Sequence, residues 1–210
     1  MWLFAILTAL AGPQLDPEPW ERPRRVPRSV VGRADVRANG GAMSSTHGAL
    51  AVLDGRVRLA TSRWTGFQLW ATRTTWHNQM RGLMGGAQAH LGVHWTGARD
   101  GSRSFAGLTV GLGVADPQSP VALPAVDAGI LLRTHGPQVL WELEGTVTGA
   151  SPAGLIARTD ALAGVHVAGP VHVTVMGRLM WLSDLRGDTS SYGGLAAGLL
   201  LRDHGLRPRR

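Results

Sequence analysis

The sequence predicts an all-β protein, an antiparallel up-and-down transmembrane β-barrel of about ten strands, with roughly eight to twelve compatible with the pattern. Three observations carry this prediction. From about Ser29 to Asp203 hydrophobicity alternates with a period of two, the period of a strand rather than a helix. The alternating segments are many, each about 10–14 residues, with almost no helical stretch between them. Glycine supplies 29 of the 210 residues, a large cost in backbone entropy that tight turns and close strand packing would justify.

In chain order, Met1 to Ala11 form a short apolar run ending Ala9-Leu10-Ala11. It is too short to span a bilayer as a helix and reads as a cleaved signal peptide. A short anchor or N-terminal core strand is the alternative. Residues 12–28 hold Pro13, Pro17, Pro19, Pro23 and Pro27 among acids and arginines, an irregular Pro/Arg-rich tether. The barrel is expected over 29–204 and a basic tail over 205–210.

Strands are expected near 29–39, 47–53, 56–75, 86–95, 104–114, 125–134, 139–149, 155–167, 171–182 and 191–203, with 56–75 standing for one long strand or two short ones. Asp54-Gly55, 135–138 and Ala168-Gly169-Pro170 read as tight turns. The connections near 40–46, 76–85, 115–124, 150–154 and 183–190 read as mostly longer, giving the barrel short turns on one side and long loops on the other. An even strand count places both termini on one side, expected to be periplasmic. A two-residue turn at Asp54-Gly55 would pair Leu53 with Arg56 and Ala51 with Arg58. A three-residue turn at 168–170 would pair Val167 with Val171 and His166 with His172, which sets Asp160 opposite Arg178.

The two faces differ in kind. Leu108, Val110, Leu112 and Val114 share one face, as do Val126, Ala128, Ile130 and Leu132, and Leu195, Ala197, Leu199 and Leu201. The other face carries glycine, threonine, alanine and sparse charges. A water-exposed face would hold denser charge, so the polar face is expected to line a narrow, filled lumen and the apolar face to meet lipid. Trp95, Trp141, Trp181 and Tyr192 are candidates for interfacial girdles, whereas Trp70 and Trp76 fall on the polar face.

This combination of export signal and alternating segments resembles the small bacterial outer-membrane β-barrel class, over the leader and about 29–203. The resemblance implies an outer-membrane location, with the lipid bilayer and other envelope proteins as partners.

Charge and composition exclude several classes. All 21 basic residues are Arg and formal net charge is +7. Much of the excess sits near the ends, without the basic stripe and interleaved aromatics of a nucleic-acid surface. No cysteine is present, which removes disulfide and thiol chemistry. Neither a phosphate loop nor a dinucleotide fingerprint appears, and no cofactor is implied.

Candidate site residues are lumen charges. A five-residue connection at 150–154 would place Glu144 opposite Asp160, which faces Arg178; Glu142 and Arg133 join this set on the same face. Arg33, Asp35, Arg37, Arg56 and Arg58 form a second cluster. These groups can act as a selectivity ring or gate, or as paired structural charges filling the lumen. His90 and His94 lie roughly 13 Å apart on a strand at ~3.3 Å per residue, too far to share a metal ion. His166 and His172 are weak metal candidates. His47, His77, Asp184 and Asp188, in the expected outer loops, allow an outer-membrane hydrolase as one alternative, although no nucleophile-elbow motif accompanies them. A secreted lipocalin-like barrel, with its apolar face lining a ligand cavity, is the other.

Overall fold

The computed structural model describes residues 33–45, 48–61, 64–76, 81–96, 102–116, 123–136, 138–150, 154–183 and 188–202. The leader, tether and basic tail expected from the sequence lie outside the described residues, as do 29–32 and 203–204.

Ten strands follow in chain order: β1 (Arg33–Ser45), β2 (Gly48–Ala60), β3 (Thr65–Trp76), β4 (Arg81–Thr96), β5 (Arg103–Asp116), β6 (Leu123–His135), β7 (Val139–Ala150), β8 (Gly154–Ala168), β9 (Val171–Ser183) and β10 (Thr189–Arg202). Each pairs antiparallel with its sequence neighbours, and β1 closes on β10. The fold is a closed up-and-down barrel in which every backbone edge is paired, the arrangement that removes exposed sheet edges. Because the count is even, β1 begins and β10 ends at the same end of the barrel. Asp35 stands directly opposite Arg202 there. We call this the terminal end and the other the distal end.

Local turn chemistry misplaces part of the N-terminal third. Asp54-Gly55 is no turn: Asp54 lies within β2, opposite Asn39 of β1 and Thr72 of β3. Arg56 therefore faces Arg37 and Trp70, not Leu53, and Arg58 faces Asp35 and Gln68. Most of the expected connection at 40–46 belongs to β1, and the expected strand 56–75 divides between β2 and β3. The Asp54 side chain is buried against arginines, and that tertiary demand outweighs the turn preference of an Asp-Gly pair. The expected alternation of short and long connections is also absent, since the gaps between strands are two to six residues at both ends.

The turn at Gly169-Pro170 does form, with Gly169 in the left-handed region (φ 51°), where glycine carries no steric penalty. His166 stands opposite His172. Ala168 rather than Val167 faces Val171, because the register slips between His166 and Ala168; a bulge of this kind admits one extra residue. Beyond it Asp160 faces Arg178, and Glu144 faces Asp160.

Face polarity is opposite to that of a water-soluble barrel. On β5, Leu108, Val110 and Leu112 are 63%, 60% and 70% exposed, while Thr109 between them is 3% exposed. The same inversion holds on β7, where Glu142, Glu144, Thr146 and Thr148 are buried and Val139, Trp141, Leu143 and Val147 are exposed. The lipocalin-like alternative needs those aliphatics inside and the charges outside, so it is overturned. Trp95, Trp141 and Trp181 are exposed as girdle residues should be. Tyr192 is not: it faces Met180 across β9 and is buried in the lumen. Its even position sets it on the face opposite Leu195 and Leu199, so strand parity overrides the aromatic cue. Trp70 also points inward, its ring beneath the Arg158 guanidinium at 4.5 Å. The Trp76 side chain lies outside the described residues.

Three layers fill the interior. Near the distal end Met43, Leu50, Val52, Met84, Ile156, Met180, Leu182 and Tyr192 pack as an apolar plug. Charged and amide side chains occupy the middle. Toward the terminal end Leu140, Leu162, Met176 and Leu200 line one wall, and histidines and arginines line the opposite one.

Candidate functional site in the barrel lumen

The central layer follows from strand parity. Residues two apart share a face, so Arg56 with Arg58, Glu142 with Glu144, and Arg158 with Asp160 each enter the lumen as pairs from one strand. Closure then brings β2 across the lumen from β7 and β8. Five arginines (Arg37, Arg56, Arg58, Arg158 and Arg178) meet four acids (Asp54, Glu142, Glu144 and Asp160), all nine of them buried.

Arg56 sits at the hub. Its guanidinium bonds Glu144 and Asp160, and its Nε donates to Asp54 Oδ1 at 3.2 Å. Arg58 holds Glu142 with both terminal nitrogens, one of them at 2.9 Å from Oε1, and reaches Glu144 Oε2 at 3.0 Å. Arg37 Nη1 donates to Glu142 Oε1 at 2.8 Å. Arg178 forks onto Asp160, with Nε at 2.6 Å from Oδ1 and Nη2 at 2.8 Å from Oδ2, while Nη2 also reaches Asp54 Oδ2 at 2.9 Å. Such planar two-point pairing is what guanidinium geometry favours. Arg158 approaches Glu144 at 3.4 Å and Asp160 at 3.5 Å. Amides extend the network: Gln68 accepts from Arg58 and donates to Gln88 Oε1 at 2.9 Å, and Thr72 donates to Asp54 Oδ2 at 2.8 Å.

The two clusters suggested by the sequence are thus one network. Glu142, Glu144, Asp160, Arg178, Arg56 and Arg58 lie in it together with Arg37. Arg133 and Asp35 do not; they pair at 3.7 Å nearer the terminal end. The Arg33 side chain lies outside the described residues. Two members escaped the sequence reading. Asp54, followed by Gly55, reads from sequence as part of a turn. Arg158 carried a usable signal, because it lies two residues before Asp160 and so on the same face.

His166 and His172 approach with ring centroids 5.2 Å apart, and His166 Nε2 lies 2.9 Å from the Gly169 carbonyl oxygen. Among the described residues no three His, Asp or Glu side chains are grouped to hold a metal ion. His90 is buried and His94 stacks near Phe105, with centroids 4.4 Å apart. Asp188 is exposed just before β10; His47, His77 and Asp184 lie outside the described residues.

No protein-family model and no curated protein matches the chain. Among solved structures it is similar to one described as the de novo design of transmembrane β-barrels, at 12% identity over 82% of this chain and 97% of that one, TM-score 0.37. It is also similar to the crystal structure of Neisserial surface protein A, at 12% identity over 81% of this chain and 96% of that one, TM-score 0.33. Likenesses at this level leave the function to the lumen and outer surface of the chain itself.

Proposed function

We propose that this chain is an integral β-barrel of a bacterial outer membrane, non-enzymatic, with a closed lumen. It serves as an envelope anchor or a subunit of an envelope assembly rather than as a pore. The observation that carries the reading is the inverted polarity: exposed Leu, Val and Trp outside, ion-paired arginines and carboxylates inside. In water such a surface would drive aggregation; in lipid it is the ordinary outer face of a barrel. Strand length agrees. The shortest strands have 12 residues, which at about 3.3 Å per residue and a tilt of about 40° cover about 30 Å, the hydrocarbon thickness.

The choice of anchor over pore rests on the interior. A ten-strand barrel is narrow, and here the plug and the ion network occupy successive levels of the lumen. The four carboxylates of the central network are engaged by arginine partners, which suits a structural filling better than a catalytic or conducting role. The partners of this reading are the bilayer and other envelope proteins. Fractionation of the native host tests location: the mature chain should sit in the outer membrane and keep a folded, faster gel mobility until boiled in detergent. Recovery in the soluble fraction without detergent would refute it. Planar-bilayer recording separates anchor from pore, since steady single-channel conductance would restore the pore.

A further inference from the structure

At the terminal end the lumen opens into a cavity of about 50 Å³ lined by residues of β1 to β6 and β10. A water needs about 10–15 Å³ on this measure, so the cavity admits about four water-sized atoms, the scale of a phosphate group. Four arginines line it, Arg58, Arg103, Arg133 and Arg202, against a single acid, Asp35. Arg58 is engaged by Glu142 and Glu144. Arg133 is not comparably engaged: its nearest carboxylate is Asp35 at 3.7 Å, beyond hydrogen-bond reach, and it lies over the Phe105 ring at 5.5 Å. Arg103 forms no ion pair among the described residues, and its strand partner across β6 is His135.

Two histidines supply the second observation. His90 and His135 are 5% and 6% exposed, both line this cavity, and Nε2 of each is buried without a hydrogen-bond partner. Buried polar atoms in folded proteins are nearly always paired, and two unpaired ring nitrogens at one cavity offer hydrogen-bonding capacity that a bound group would use. The surrounding charge opposes a cation and favours an anion.

From this geometry we propose that the terminal-end mouth binds a small tetrahedral oxyanion, a phosphate group either free or carried on a lipid headgroup. Arg103 and Arg133 provide the charge, and the Nε2 atoms of His90 and His135, on the same β4–β6 wall, provide donors beside them. Arginine forks match phosphate oxygens in two-point contacts, and the cationic mouth concentrates anions before they bind. Binding needs only the pocket, so it is expected even of a barrel recovered without detergent; failure here and failure of the membrane reading are separate results.

The test uses the full chain in dodecyl maltoside, which carries no phosphate. Inorganic phosphate is titrated and followed by calorimetry. In parallel, phosphatidylglycerol is added to the micelles, with diacylglycerol as the control lacking the phosphate. Saturable binding of inorganic phosphate identifies a free anion; binding of phosphatidylglycerol alone identifies a headgroup. In either case R103Q/R133Q should weaken binding about tenfold or more, while Arg73→Gln, on the exposed outer surface, should leave it unchanged. If R103Q/R133Q does not fold, His135→Gln carries the test, with a several-fold loss expected. No binding of either probe by the folded wild-type chain overturns the proposal, as does undiminished binding by the variants.

Discussion

Arg56 on β2 and Arg133 on β6 are both lumen-facing arginines, yet the chain treats them oppositely. Arg56, in the central layer, touches Glu144, Asp160 and Asp54. Arg133, nearer the terminal end, finds its closest carboxylate at 3.7 Å and keeps some exposure. A guanidinium sealed from water must be surrounded by partners before the barrel can close, whereas one near water can leave its donors open. The centre of the lumen therefore contributes to specifying the barrel, and the mouth is free to recruit something else. The distal plug is a third solution, in which apolar side chains need no partners and simply exclude water.

Breaking the central layer should have the largest effect. Glu144→Ala removes the carboxylate shared by Arg56, Arg58 and Arg158 and strands buried positive charge. A loss of about 3–5 kcal/mol is expected, seen as a lower urea midpoint for the heat-modifiable folded band in micelles. A midpoint within error of wild type would mean that water reaches this layer and solvates the arginines. In the plug, Leu50→Ala empties a fully enclosed site. Its expected cost is about 2–5 kcal/mol, toward the lower end because the neighbouring methionines can move into the space. The plug variant should remain non-conducting, since the ion network still fills the level beneath it; a new conductance would show that the plug alone seals the lumen.

Closure of the barrel gives a finer comparison between two glycines. A Cβ at Gly198 would meet the Ala38 carbonyl oxygen at 2.0 Å across the β1–β10 seam, and one at Gly145 would meet only Ile130 Cγ1 at 3.6 Å. Backbone at the seam has to shift to accept a methyl group. Gly198→Ala is expected to cost about 1–3 kcal/mol, while Gly145→Ala should be neutral or slightly stabilising, since alanine loses less backbone entropy. Equal effects in refolding assays would mean that the backbone beside Gly198 yields to a methyl group as readily as the open site at Gly145.

The two halves of the chain were not equally legible. From β4 to β10 each strand alternates strong apolar residues with small or polar ones, so the faces and most registers follow from parity and from turns such as Gly169-Pro170. In β1 and β2 the contrast fades: Gly40, Gly41 and Ala42 offer no clear inside or outside, and weak patterning leaves register weakly specified. There the nearest local signal, Asp54-Gly55, pointed to a turn, and only pairing with β10 and β3 settles the strand. The site divided in the same way. Glu144, Asp160 and Arg178 were legible as neighbours because they sit on consecutive strands. That Arg56 reaches them across the lumen, 88 and 104 residues away in the chain, is a consequence of closure and of the strand count. No local pattern encodes it.

The smallest effect on stability is expected where the lumen is least satisfied. Arg133→Gln removes one long ion pair with Asp35, partly open to water, and a contact over the buried Phe105 ring. Pairs of that kind contribute about 0–1 kcal/mol, so the urea midpoint should move little, and added salt should shrink the difference further by screening. Glu144→Ala should keep most of its larger deficit in the same salt, because its partners are buried and poorly screened. If Arg133→Gln destabilised as strongly as Glu144→Ala, the mouth would be part of the structural network and its arginines would be unavailable to a ligand. If instead the substitution stabilised the barrel, uncompensated positive charge at the mouth would be a standing cost of the fold, which is the condition a site kept open for an anion creates.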